Sequence, residues 1–316
     1  MNNLCNNSVH DEVTRAVKVI ILWAGSEGGR ATGVENELSL LKYRLKILKE
    51  VDQGVNMDVI FINHMNEKLE GDENYEKYKA YLNNLNNQKT KNGRIIVLHR
   101  KNIGYSFAGF NYAWQLYRDH YDYFWFAEDD YINVSSGAMA QGVSFLEKDE
   151  EPYVCTNFHR GRYSEVSFCT GSNLITKSGN LKLALKTDYS DIIKHFARVY
   201  RKTKPIAGRA RRNFHVFPPE DQDYQDFPFE KNLDLQSSHR NHWLAELQLP
   251  PLIKYFYNLN RKSKKYGTCL RPPCNEMVWW GKESLATEAE YKNNNDDAKG
   301  FQGTKRIPWD KSMLLD

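Results

Sequence analysis

A run of aromatic residues that ends in three carboxylates restricts the fold of this 316-residue chain more than any other stretch. Residues 123–126 read Tyr-Phe-Trp-Phe and have the continuous hydrophobicity of a strand buried on both faces, as in a parallel sheet. Glu128, Asp129 and Asp130 follow, so we expect them at the C-terminal tip of that strand. Open α/β sheets bind ligands beyond the carboxyl ends of their strands. The three acids therefore predict a site that binds Mg²⁺ or Mn²⁺ together with a diphosphate. The alternative interpretation is an ordinary acidic turn without a ligand.

The surrounding sequence predicts an alternation of strands and helices. Residues 17–23, 58–63 and 94–98 are short apolar segments typical of buried strands. Residues 106–120 carry apolar side chains at helical spacing, and the leucines between residues 38 and 48 form one helical stripe that we interpret as core. This order predicts an α/β fold with a mostly parallel, Rossmann-like mixed sheet, right-handed crossovers and helices on both faces.

Three motifs, in this order along the chain, resemble those of GT-A fold glycosyltransferases, above all the large family 2 group. They are R-x-N-x-G at residues 100–104 with an asparagine in the next helix, E-D-D at 128–130 in the place of D-x-D, and E-D-x-D at 220–223. The resemblance covers residues 17–224. It implies metal-dependent transfer of a monosaccharide from a UDP- or GDP-sugar to a hydroxyl of a glycan or glycoconjugate, with inversion.

The resemblance also implies roles for individual residues. The residues expected in the sugar-nucleotide pocket are Arg100, Asn102, Gly104, Asn111, Glu128 and Asp129. Asp130 is the expected ligand of Mn²⁺ or Mg²⁺. Inversion needs a carboxylate that takes the acceptor proton, and Asp221 is expected in that role with Glu220 as second choice. An acidic helix cap is the alternative for this pair.

Four further positions complete the predicted site. Gly25 and Ser26 belong to a glycine-rich loop after the first strand, where backbone amides can approach a nucleotide, although no P-loop lysine-serine pair follows. Asn63 stands at the end of the second strand, where the family commonly has an acid that binds the base or ribose. Because asparagine replaces that acid here, the sequence does not identify the base of the donor nucleotide. His239 would add a metal ligand, as a late histidine does in some of these enzymes; packing or solvation is the alternative.

The net charge limits the kinds of substrate and partner that the protein can be expected to bind. The net charge of +4 suits an anionic substrate, and nucleic acid is not expected. Residues 201–212 form a basic run without interleaved aromatics, which suits a loop near the donor diphosphate or, alternatively, phosphate or nucleic-acid binding.

The five scattered cysteines lack C-x-x-C spacing and predict neither a disulfide framework nor a zinc site, which favours a reducing compartment. No segment resembles a membrane span or secretory signal, so we predict a cytoplasmic protein and leave peripheral membrane contact open.

The predicted organisation has three parts. Residues 1–15 form a disordered or loosely packed N-terminus, residues 16–250 the GT-A domain, and residues 251–316 an extension that packs on this domain and shapes the acceptor site. Two rival functions stay open. A sugar-phosphate nucleotidyltransferase would share the sheet and the metal acids, but it normally has a G-x-G-T-R-type loop, which residues 24–29 lack. A non-catalytic basic nucleic-acid- or phosphate-binding module would need no divalent metal.

Overall fold

The computed structural model describes the central part of the chain and several shorter segments. The described residues are 14–23, 34–65, 69–101, 105–129, 131–156, 158–160, 167–169, 173–185, 249–250, 253–254, 257–258, 260–262, 265, 267–279 and 305–308. The strands are β1 (Ala16–Leu22), β2 (Met57–Met65), β3 (Ile95–Lys101), β4 (Tyr123–Glu128), β5 (Tyr131–Asn133), β6 (Val154–Cys155), β7 (Phe158–Arg160), β8 (Ser167–Cys169), β9 (Asn173–Lys177), β10 (Thr268–Cys269), β11 (Glu276–Trp279) and β12 (Lys305–Pro308). The helices are α1 (Val34–Glu50), α2 (Glu73–Asn84), α3 (Tyr105–Tyr117), α4 (Ala138–Glu147) and α5 (Ser178–Ala184).

A seven-stranded mixed sheet organises the fold. Its strand order is β10-β6-β9-β4-β1-β2-β3. The strands β3, β2, β1 and β4 are parallel, whereas β9 runs antiparallel to both β4 and β6. The prediction of a mostly parallel, Rossmann-like sheet flanked by helices is therefore confirmed. The chain proceeds from β1 to β2 and β3 on one side and continues with β4 on the other, so the strand order reverses between β1 and β4.

Side chains alternate between two helix layers across this sheet. On β1, Ile20 and Leu22 belong to the cluster that includes residues of α1, α2 and α4, while Val19 and Ile21 belong to the cluster with α3 and α5. All seven residues of β1 are buried. Burial on both faces explains why β1 and β4 appear in the sequence as continuous apolar runs.

The C-terminal segment contributes strands to two sheets. β10 forms the outer edge of the large sheet beside β6, and β11 pairs with β5 and β12 in a second, three-stranded sheet. Leu270, Cys274 and Met277 from this segment are buried. Three short strands from the region predicted as an extension, residues 251–316, therefore belong to the sheets of the fold. The predicted role of this region in shaping the acceptor site stays a prediction.

One sequence-based expectation about the cysteines is wrong. Cys155 at the end of β6 is disulfide-bonded, although the cysteine spacing predicted no disulfide framework. A disulfide depends on Cα positions that approach in the folded chain, and sequence spacing does not report them. Cys269 and Cys274 are not in a disulfide, and burial raises the pKa of Cys269 to about 12. A disulfide disfavours the reducing compartment that the cysteine spacing predicted.

The described helices are all too short or too polar to cross a lipid bilayer. Cytoplasmic localisation itself stays a prediction.

Candidate active site

The acidic turn lies at the junction of β1 and β4, where the strand order reverses. Glu128 is the last residue of β4 and pairs in register with Ile21 of β1. The backbone N–H of Trp23, directly after β1, donates to Oδ2 of Asp129 over 3.1 Å. Asp129 is only 4% exposed, so its carboxylate joins the ends of the two strands. Crevices at such reversal points are the common ligand sites of open α/β sheets.

A buried arginine holds the backbone of this turn from the other side. Arg44 of α1 donates from Nη1 to the carbonyl of Tyr131 over 3.2 Å and from Nη2 to the carbonyl of Asp129. These two carbonyls flank position 130 in the chain. A planar guanidinium can bond two acceptors in a fixed geometry, which an ammonium cannot. One side chain therefore fixes the backbone on both sides of the predicted metal ligand Asp130.

On the opposite face of the sheet, the first turn of α3 lies beside the end of β4. The hydroxyl of Ser106, a fully buried residue, donates to Oε1 of Glu128. Glu128 itself is partly exposed. The positive end of the α3 dipole therefore lies near this carboxylate.

Arg100 brings a cation to the same face. Its Nη1 lies 3.4 Å from Nε2 of His64, the residue that pairs with it across β2 and β3. The guanidinium also lies over the Tyr112 ring, 5.7 Å from the centroid. Burial lowers the pKa of Arg100, and Tyr112 acts in the opposite direction, but an arginine stays protonated at any working pH. A positive charge thus stands at the carboxyl end of β3, at the same end of the sheet as Glu128.

Asn63 is fully buried and belongs to the opposite layer. Its Nδ2 lies 3.1 Å from Nδ1 of His99, and Nε2 of His99 lies 2.7 Å from Oδ1 of Asn83 on α2. Burial, followed by the charge of Lys79, lowers the pKa of His99, which favours the neutral ring. In the described part of the chain, Oδ1 of Asn63 has no hydrogen-bond donor. The predicted base-binding position is therefore part of a polar chain running from β2 to α2.

Asn111 lies away from the buried face of α3. Its neighbours Phe110, Ala113 and Trp114 form that face, whereas Asn111 is partly exposed and accepts a hydrogen bond from Gln115, one turn later, over 3.5 Å. The structure brings Glu128, Asp129 and Arg100 to one end of the sheet, and the pocket role of Asn111 stays a prediction.

The remaining candidates lie outside the described residues, and their roles stay predictions. They are Gly25, Ser26, Asn102, Gly104, Asp130, Glu220, Asp221 and His239. Within the described residues, no group of three or more His, Cys, Asp or Glu side chains is arranged to hold a metal ion.

No role was predicted from the sequence for four residues of this region, which are Arg44, His64, Ser106 and Trp23. The position of Arg44 could have been noticed, because it falls within the leucine stripe between residues 38 and 48. A charged residue on an apolar helix face indicates a buried, paired side chain. His64 and Trp23 follow or end apolar strands and carry no comparable signal.

Comparison with known proteins adds little to this geometry. No protein-family model and no curated protein matches the chain. Among solved structures, it is similar to a cytidylyltransferase from Leptospira borgpetersenii serovar Hardjo-bovis (strain JB197), with 10% sequence identity, 96% of this chain and 92% of that chain covered, and a TM-score of 0.34. A superposition at this level carries no argument about function, which must come from the chemistry of the site.

Proposed function

We propose that this protein is a metal-dependent glycosyltransferase that moves a monosaccharide from a nucleoside-diphosphate sugar to a hydroxyl of a glycan or glycoconjugate. The observation that supports it best is the acidic turn at Glu128 and Asp129, held at the β1–β4 crevice by Arg44 and Trp23. A second support is the cation Arg100 at the same end of the sheet.

These residues suit a donor diphosphate. Carboxylate oxygens are the preferred ligands of Mg²⁺ and Mn²⁺, and Asp130 with Glu128 would hold such an ion. When bound, the ion neutralises charge on the leaving diphosphate. Arg100 would bind phosphate oxygens through its forked N–H donors. Asn63 stays the predicted residue for the base or ribose, although its buried contact with His99 would have to open for that role. Gly25 and Ser26 would add backbone amides.

On the acceptor side, we propose that Asp221, or Glu220 in its place, takes the hydroxyl proton as the acceptor oxygen attacks the anomeric carbon. Attack from the face opposite the diphosphate inverts the configuration. Proton NMR of the product measures this directly, and a retained configuration would remove both acids from the base role. His239 is the candidate for an additional metal ligand.

Nucleotidyl transfer from a nucleoside triphosphate to a sugar phosphate is the second candidate. It needs the same two groups, carboxylates that hold a divalent ion and a cation for phosphate, and Glu128 and Arg100 supply both. Release of pyrophosphate from a triphosphate in the presence of a sugar phosphate would identify it, whereas release of a nucleoside diphosphate from a nucleotide sugar identifies glycosyl transfer.

The metal assignment is tested by Asp130→Asn, which removes the charge and keeps the shape. We expect UDP- or GDP-sugar with Mn²⁺ to raise the melting temperature of the parent, since a ligand at a hundred times its Kd adds about 2.7 kcal/mol. The variant should lose this shift and the activity while its ligand-free melting temperature stays the same. Asp119→Asn is the matched control, because that side chain is 89% exposed and remote from the crevice. An equal shift in Asp130→Asn, or transfer that persists in chelator, contradicts the proposal.

A further inference from the structure

We propose that His64 is a positioning residue that aims the Arg100 guanidinium at the donor diphosphate. This inference rests on the proposed function and adds a residue to it that no motif in the sequence indicates. It is carried by three contacts around the imidazole ring, from β3, from the end of β1 and from α3.

The contact between the two side chains assigns the protonation of the ring. Nη1 of Arg100 lies 3.4 Å from Nε2 of His64. Arginine has only N–H donors, so Nε2 must accept, and the neutral ring then carries its proton on Nδ1. A protonated imidazole would have no free acceptor for Arg100 and would repel it.

The ring itself has little freedom to move. His64 is completely buried, and the Trp23 indole meets it edge-on with ring centroids 4.7 Å apart and an interplanar angle of 82°. From α3, Gly109 approaches so closely that a Cβ built there would lie 3.1 Å from Nε2. The acceptor nitrogen is therefore held at one place in the crevice.

Arg100 is restrained on two sides as a result. His64 accepts one of its N–H groups, and the Tyr112 ring lies beneath the guanidinium. A long side chain that is ordered before the ligand arrives loses less conformational entropy on binding, which raises affinity. A guanidinium has five N–H donors in a planar fork that suits an anion with several oxygens, and the diphosphate of the donor is a ligand of that chemistry.

A set of His64 and Arg100 variants tests the pair by calorimetry with inorganic pyrophosphate, UDP and GDP, each with Mg²⁺. His64→Leu removes the acceptor, and we expect roughly three- to tenfold weaker binding, the range of one hydrogen bond. His64→Gln keeps an acceptor and should recover most of the affinity. Adding His64→Leu to Arg100→Ala should cause no further loss, because the two residues act as one unit. His120→Leu, an exposed histidine in the turn after α3, is the control.

Two outcomes overturn this role while leaving the proposed function intact. The first is ligand binding by the parent with additive losses from His64→Leu and Arg100→Ala. The second needs no ligand or variant: nitrogen-15 NMR of the parent that shows the His64 proton on Nε2. If the parent binds none of the three probes, the proposed function fails and this role fails with it.

Discussion

The ammonium group of Lys18 is buried, which is unfavourable for a charged side chain. It lies within the central strand β1, is 5% exposed, and its Nζ lies 3.5 Å from the centroid of the Trp125 ring. The electron-rich face of an indole replaces part of the lost hydration of an ammonium group. Burial, with a smaller effect from the Arg44 charge, lowers the pKa of Lys18 well below its ordinary value.

Lys18→Met should therefore raise the free energy of unfolding and make it less dependent on pH in the alkaline range. The native pKa lies below the unfolded one, so between these two values the unfolded chain binds more protons and parental stability rises with pH. As pH falls through that window the parent loses stability, and the variant does not. At neutral pH we expect the free energy of unfolding to increase by about 1–4 kcal/mol, the range for replacing buried charges by apolar residues.

Urea denaturation of parent and variant between pH 6 and pH 10.5 measures this difference. Lys182→Met, an exposed position on α5, serves as the control and should change stability by less than about 0.5 kcal/mol. A destabilised Lys18→Met with an unchanged pH profile would show that the ammonium group has a structural partner that outweighs its burial.

At the scale of elements, the packing of α3 on the sheet depends on Gly109. A Cβ at this position would lie 2.5 Å from Cδ1 of Ile21, closer than real Cβ contacts. Helix propensity alone favours alanine over glycine by about 1 kcal/mol, so the glycine is explained by the close approach of helix and strand. The same approach brings α3 against His64.

We expect Gly109→Ala to lower the free energy of unfolding by about 1–3 kcal/mol, because overpacking at the interface outweighs the gain in helix propensity. Gly179→Ala on α5 is the matched control, since no atom lies within 4 Å of its built Cβ. This control should be neutral or stabilising by up to about 1 kcal/mol. Thermal and chemical unfolding measure both, and a stabilised Gly109→Ala would mean that α3 can move away from β1 at little cost.

For the whole molecule, we expect the C-terminal strands to be required for folding. A chain that ends at residue 260 lacks β10, β11 and β12 and with them the buried residues Leu270, Cys274, Met277 and Val278. At about 1.5–3 kcal/mol for each buried large apolar side chain, this loss reaches the whole stability of a typical domain.

We therefore expect the chain ending at residue 260 to lack a cooperative thermal transition and to bind a hydrophobic dye. The chain ending at residue 308 keeps all described strands and should unfold cooperatively like the parent. Circular dichroism melts with dye fluorescence distinguish the two. A cooperative transition in the shorter chain would establish an independent catalytic domain with a separable extension at residues 251–316.

The sequence by itself was sufficient to predict those strands and helices that have a clear local pattern of apolar residues. The apolar runs that became β1, β2 and β4 are continuous because both faces of these strands are covered, and the helical spacing of Phe110, Ala113 and Trp114 identified α3. The order of strands and helices was enough to predict a mostly parallel sheet. The position of Glu128 and Asp129 at the tip of β4 followed from that prediction.

Only the tertiary structure decided what these elements bring together. Periodicity tells which face of a strand or helix is buried but not which partner covers it. The insertion of antiparallel β9 between β4 and β6 is a choice of that kind. So are the contacts of Arg44 with Asp129, 85 residues away, and of Arg100 with His64, 36 residues away. Each joins polar groups that lose hydration on folding and gain partners only when distant segments of the chain pack against each other.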